Sequence, residues 1–191
     1  TYVRQLSDGL AALADTNVSF VEMFADTKEF AVSEDEKGCR HYQIPALPSG
    51  MESEIYCRSI FYFLARKINA DSTSNLVFQF NYFQHRPLAA LLKGQYPDCR
   101  IVLTVHYLNW CFELKGNLTR LRKMTARDFH PTDEQERHIL SSVTDEKAFL
   151  HLADEVLVLS RNTREVLAKD YDVPDDKMHL IYNGLGDMLC T

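Results

Sequence analysis

The chain has 191 residues, 46% of them hydrophobic, and a formal charge of -6 from 21 basic against 27 acidic side chains. That length supports one substantial core and is short for two independent ones, and the acidic balance offers no broad positive surface to a phosphate backbone, which argues against nucleic acid as a partner. The five cysteines, Cys39, Cys57, Cys99, Cys111 and Cys190, are odd in number and never spaced C-x-x-C, so they suggest neither a disulfide framework nor a zinc site and read as the reduced thiols of a cytoplasmic protein.

In chain order, Tyr2, Val3, Leu6, Leu10 and Leu13 stand at helical spacing and predict an amphipathic helix at the opening. Val18 to Phe24 reads as a strand, rich in β-branched and aromatic residues. The polar stretch from about Ala25 to Gly38 reads as an exposed loop. His41 to Ile44 is a further short strand, stopped by Pro45 and Pro48. From Glu54 to Ile68 a broad apolar face predicts a helix. Leu76 to Phe80 follows as a strand, and Pro87 to Lys93 as the helix behind it, with Pro87 in the first turn.

Arg100 to Val105 is the clearest strand, a continuous run rich in β-branched residues of the kind a parallel strand covered on both faces requires, and it is expected near the sheet centre. Residues 110 to 152 form a polar, mostly helical excursion that includes a helix from Asp133 to Ser142. Ala153 to Leu159 is the next strand, Ser160 the N-cap of a helix from Asn162 to Asp170, and Met178 to Ile181 a last short strand. Strand and helix alternate, which predicts an α/β fold, Rossmann-like, with a mostly parallel sheet and helices on both faces.

No apolar run approaches the roughly 20 residues that a bilayer span requires, and no signal-peptide pattern opens the chain. The sequons at Asn17 and Asn117 therefore read as chance matches.

Three segments resemble one family at corresponding places. Val102-Leu-Thr-Val-His106, running into Asn109, resembles the strand and loop that carry a histidine in retaining glycosyltransferases of GT-B architecture, the group that includes glycogen and starch synthases. Ala153-Asp-Glu-Val-Leu-Val-Leu-Ser160 resembles their A-D-x-V-x-x-V-S strand, and His179-Leu-Ile-Tyr-Asn-Gly-Leu-Gly186 their V-x-x-N-G-V-D crossing. Thr1 to Leu6 resembles the residues that follow the family's glycine-rich loop. The resemblance implies that residues 1–191 are the N-terminal, acceptor-side domain of such an enzyme. A first strand with its glycine loop is then expected before Thr1, and a nucleotide-sugar domain of the same protein after Asp187. Alone, this half would be inactive.

The implied reaction is transfer of a sugar from a nucleotide diphosphate sugar to the hydroxyl of a carbohydrate or lipid-linked acceptor, with retention, no metal and no cofactor. Peripheral contact with the inner face of a membrane belongs to the same expectation. In open α/β sheets ligands lie outside the carboxyl ends of the strands. His106 directly follows the best strand, and in the family this histidine hydrogen-bonds the donor sugar or reacting centre.

Asn81, Tyr82 and His85 follow the preceding strand and suit either acceptor hydroxyls or helix capping. The glycogen-synthase segment is Asp- and His-rich there, whereas this chain reads Gln79-Phe-Asn-Tyr-Phe-Gln-His85, which leaves the acceptor open. Asn109 extends the His106 loop, and Trp110 is either an acceptor platform or packed. Ser160 and Arg161 offer an N-cap or an anion contact, and Asn183 with Gly184 a turn or a loop lining the cleft. The basic residues Lys115, Arg120, Arg122, Lys123 and Arg127 read as a solvated helix face or a contact with anionic surfaces. Rival readings are a nucleotide-sugar epimerase or phosphorylase on the same architecture, or a non-catalytic Rossmann-like binding module. Epimerases tend to carry extra carboxylates and histidines at the cleft, and the sequence puts none beside His106.

Overall fold

The computed structural model describes residues 16–46, 53–68 and 75–182, together with Leu6, Gly9 and Leu10. The opening helix falls largely outside the described residues, although Leu6, Gly9 and Leu10 are helical. Asn183 and Gly184 also lie outside them. The chain divides into two compact units, one of Thr1–Tyr56 with Asn183–Thr191 and one of Cys57–Tyr182.

The first unit holds a three-stranded sheet of order β1-β3-β2, formed by β1 (Ser19–Ala25), β2 (Ala31–Glu34) and β3 (Arg40–Pro45). β1 runs parallel to β3 and β2 antiparallel to it. β2 corrects the sequence reading, which placed Ala31–Glu34 inside an exposed loop. Three of its four side chains are exposed, so it has almost no apolar signature and is held by its pairing with β3. Its turn is built by Asp35, whose Oδ1 accepts the N–H groups of Lys37 and Cys39 at 2.9 Å each, and by Gly38 at φ +78°.

β1 changes register between Glu22 and Ala25, where Phe24 sits at φ +57°. For a bulky residue that conformation is strained. Two contacts hold it: the Phe24 N–H donates to the Tyr56 hydroxyl at 2.8 Å, and the two rings meet with centroids 4.4 Å apart.

Tyr56 belongs to α1 (Ser53–Lys67), where Cys57, Ile60 and Leu64 are buried at helical spacing. The remaining elements of the second unit are β4 (Val77–Phe80), a 3-10 turn over Phe83–His85, α2 (Arg86–Gln95), β5 (Arg100–Val105), α3 (Trp110–Glu113), α4 (Leu118–Met124), α5 (Glu134–Leu152), β6 (Glu155–Val158), α6 (Arg161–Asp170) and β7 (Met178–Leu180). The four strands form one wholly parallel sheet of order β4-β5-β6-β7. The parallel α/β fold expected from the alternation of elements is the fold observed.

β5 is an interior strand. Leu103, Thr104 and Val105 are all at most 1% exposed, so side chains pointing to opposite faces are equally covered, as a β-branched run predicts. Burial of each aliphatic side chain here is worth about 1.5–3 kcal/mol. At the other end of the strand, Asp154 replaces a ladder partner. Its Oδ2 accepts the Ile101 N–H at 2.7 Å while Lys93 Nζ donates to both carboxylate oxygens at 2.9 and 3.0 Å. Those bonds outweigh the desolvation that would raise the carboxyl pKa and leave it lowered.

α5 runs to Leu152, ten residues beyond the expected end, because its second half supplies a continuous buried stripe ending in Phe149 and Leu150. Asp133 caps it by accepting the Glu136 N–H at 2.8 Å. Asn117, the residue of one sequon, is the N-cap of α4 and accepts the Arg120 N–H at 2.9 Å. No helix among the described residues is long and apolar enough to cross a membrane.

Candidate functional site

Parallel strands deliver their carboxyl ends to the same edge of the sheet. β4 ends at Phe80, opposite Leu103, and β5 runs on to Val105, so the residues that follow both strands leave the sheet at this edge. The sequence there supplies Asn81 after β4 and His106 after β5. The two meet: His106 Nε2 lies 3.2 Å from Asn81 Oδ1. With the carboxamide oxygen facing the ring, Nε2 carries the proton and donates it. Burial holds the His106 pKa below its ordinary value, so the imidazole is neutral at pH 7 and keeps one donor and one acceptor nitrogen.

Tyr82 stands over this pair, its ring centroid 6.4 Å from that of His106 and 5.7 Å from that of His85, and its side chain is exposed. His85 ends the 3-10 turn that leads into α2. Its pKa is lowered to about 4 by burial alone, and its buried Nε2 has no hydrogen-bond partner among the described residues. Neither Tyr82 nor His85 makes a side-chain cap to the turn or to α2, and Asn81 spends its oxygen on His106. Side-chain capping by Tyr82 or His85, one of the two readings open for this cluster, is not observed. Beneath it, Phe80 and Phe83 pack edge-on against Phe149, at centroid distances of 5.5 and 6.4 Å.

Asn109, three residues beyond His106, is held twice by α5. Its backbone N–H donates to Glu146 Oε1 at 2.7 Å, and its Nδ2 donates to Ser142 Oγ at 2.8 Å. Trp110 is 4% exposed, which makes it a packed residue and not an open platform. Tyr107 and Phe112 are exposed and pack edge to face at 5.2 Å.

The N-terminus of α6 opens at the same sheet edge, after β6. Ser160 caps it, its Oγ accepting the Thr163 N–H at 3.0 Å, and Arg161 is exposed. The basic residues of this excursion differ in their pairing. Arg122 is paired with Asp170 at 2.7 Å and Arg120 with Glu136 at 3.7 Å, while Lys115, Lys123 and Arg127 are exposed. No group of three or more His, Cys, Asp or Glu side chains among the described residues is placed to hold a metal ion.

Sequence reasoning missed Glu146, Ser142 and Tyr171. One signal was available for the first: Glu146 falls in the stripe Ile139, Val143, Glu146, Leu150, a core position by spacing and the only charged member of the series.

The family model described as Glycosyltransferase Family 4 matches residues 1–186. Among solved structures, this chain is similar to sucrose-phosphate synthase from Thermosynechococcus elongatus, with a TM-score of 0.61, 19% identity, and coverage of 97% of this chain and 85% of that one. At that identity the likeness speaks for the fold. No curated protein matches the chain.

Proposed function

Since this chain belongs to glycosyltransferase family 4, we propose that it is the acceptor-side domain of a retaining transferase that moves a sugar from a nucleotide diphosphate sugar to a hydroxyl of a carbohydrate or lipid-linked acceptor. The observation that carries this reading is the neutral, half-buried His106 at the carboxyl end of an interior parallel strand, oriented by Asn81. A neutral imidazole at that edge, its Nε2–H turned to Asn81, supplies a hydrogen-bonding ring for a sugar hydroxyl.

Asn81 sets which imidazole nitrogen carries the proton, and Tyr82 supplies an exposed aromatic face for an acceptor ring. Ser160 and Arg161 at the N-terminus of α6 are the groups on this side suited to donor oxygens. The nucleotide would be held by a partner domain of the same protein, with closure excluding water and so limiting donor hydrolysis. Exposed Tyr107, Phe112 and Lys115 suit peripheral contact with a membrane that presents a lipid-linked acceptor on its cytoplasmic face.

The test is a donor screen on the full-length protein. With UDP-, GDP- and ADP-sugars, one donor should show turnover, and His106→Ala should reduce it by about tenfold or more, equivalent to about 1.4 kcal/mol of transition-state stabilisation. Unchanged turnover in that variant removes His106 from the mechanism, and no turnover with any donor removes the transferase reading.

A further inference from the structure

Glu146 is a carboxylate at the bottom of an apolar core. It is 1% exposed and shares a buried stripe with Ile139, Val143 and Leu150. A charge at that depth costs several kcal/mol, and an apolar side chain of similar volume would generally serve stability as well or better. Among the described residues it has no ion-pair partner. What it has is two short, directed hydrogen bonds, one to each oxygen. Oε1 accepts the backbone N–H of Asn109 at 2.7 Å, and Oε2 accepts the hydroxyl of Tyr171 at 2.6 Å. Tyr171 is itself fully buried just past the end of α6.

The same face of α5 provides a second hold. Ser142 lies one turn before Glu146 and accepts the Asn109 side-chain amide at 2.8 Å. Asn109 is therefore fixed through both its backbone and its side chain to one rigid helix. The segment between is short: β5 ends at Val105, His106 follows, Leu108 is 3% exposed, and α3 begins at Trp110. The His106 backbone is thus bounded by a sheet strand on one side and by the Glu146 bond on the other.

We infer that Glu146 is a positioning residue for His106: held by Tyr171, it fixes the backbone at Asn109 and with it the place at which the imidazole meets the sugar. The inference rests on the transferase reading for its kinetic consequence, though not for its geometric one. Site groups need to be held within about 0.5 Å of productive geometry, and a misplacement of about 1 Å can cost about 100-fold in rate. A bond from the helix to the loop backbone three residues from the imidazole acts on that scale.

The experiment compares Glu146→Leu and Glu146→Gln in the full-length protein, by steady-state kinetics and by NMR titration of the His106 imidazole. Glutamine keeps an oxygen for the Asn109 N–H and offers its amide to the phenol oxygen, whereas leucine fills the space and removes both bonds. The leucine variant should lose about 10- to 100-fold in kcat with donor KM nearly unchanged, and glutamine should restore most of it. The His106 titration should move in the leucine variant and return in the glutamine variant. In a His106→Ala background, Glu146→Leu should lower kcat by less than about twofold, because the residue it positions is gone.

Wild-type kcat together with an unmoved titration in Glu146→Leu overturns the inference, as does a full additional loss in the His106→Ala background. If the leucine variant does not fold, the pair Ser142→Ala with Tyr171→Phe removes one bond from Asn109 and one from Glu146 while preserving the packed volume. A folded double variant with unchanged kcat and titration is then the overturning result. If the wild-type protein turns over no donor, the transferase reading fails while the titration alone still decides the positioning.

Discussion

Asn81 and His106 stand 25 positions apart in the chain, and the imidazole Nε2 of one lies 3.2 Å from the carboxamide oxygen of the other. The contact joins the loops that leave two neighbouring parallel strands at one edge of the sheet, although β5 runs on to Val105 while β4 stops opposite Leu103, and it links the residue that the sequence marks most strongly to one that it marks only by place.

That contact makes the protonation of His106 sensitive to residue 81. Replacing a neutral carboxamide by a carboxylate at hydrogen-bond distance favours the imidazolium. Asn81→Asp should therefore raise the His106 pKa from its lowered value, in an NMR titration, and lower turnover near neutral pH by holding the ring charged. Asn81→Leu should leave the ring neutral and lower kcat by several-fold through lost orientation. An unmoved titration in Asn81→Asp would show that the side chains are not in contact in solution.

His85 predicts an acid sensitivity of known sign. Its folded pKa is about 4 because burial disfavours the charged ring, so the unfolded chain binds the extra proton first as the pH falls below about 6.5. Its stabilising contribution is complete at pH 7 and above and declines as the pH falls toward 4, by about 3 kcal/mol in total and about 2 kcal/mol between pH 7 and pH 5. Urea midpoints should show a shallower loss over that interval for His85→Phe than for the parent protein. Parallel losses in the two would place the ring in solvent.

The first unit has a histidine with the opposite sign. On β3, His41 contacts Glu22 of β1 at 3.1 Å through Nδ1 and Asp35, beyond β2, at 3.3 Å through Nε2, with Phe20 stacked on the ring at 4.8 Å. Burial pulls its pKa down, but the two carboxylates outweigh that and leave it raised. The bridging contribution is fully present below the unfolded value of about 6.5 and is lost as the pH rises through the higher folded value. After correction for intrinsic exchange, amide protection in β3 should fall across neutral pH in the parent and stay level in His41→Gln.

Ser160 gives a stability test separate from chemistry. Its Oγ accepts the Thr163 N–H at the start of α6, and Ser160→Ala should cost about 1 kcal/mol in denaturant unfolding. Ser160→Asp should recover most of that loss, because a carboxylate also suits the helix N-terminus.

Much of this fold could be read from residue types. β5 announces itself because a strand covered on both faces is rich in apolar and β-branched residues, and α6 because serine before a helical run is a cap. β2 left no mark, since Ala31–Glu34 is mostly exposed and its hydrogen bonds come from a strand that follows in sequence. The Ser142 end predicted for α5 failed for a related reason: Lys147 and His151 interrupt the apolar spacing, yet the buried face continues through Phe149.

At the site, His106 and Asn81 were legible as positions following strands. Their contact was not, because it depends on the register of β4 against β5. Glu146 was hidden by its chemistry. An acidic residue in a helix is normally solvated, and only the ladder of buried neighbours around it reveals that this one faces inward.

The register that sets Phe80 opposite Leu103 also has a use for protein engineers. Strand pairing fixes the chain through Phe80 and through Val105, so sequence beyond Asn81 and beyond His106 can be varied without changing the register of the sheet. Deleting one residue within β4 would instead turn its remaining side chains to the opposite face. Loop libraries that keep Asn81 and His106 therefore have two natural starting points, and randomisation should stop short of Asn109, where α5 takes hold of the chain again.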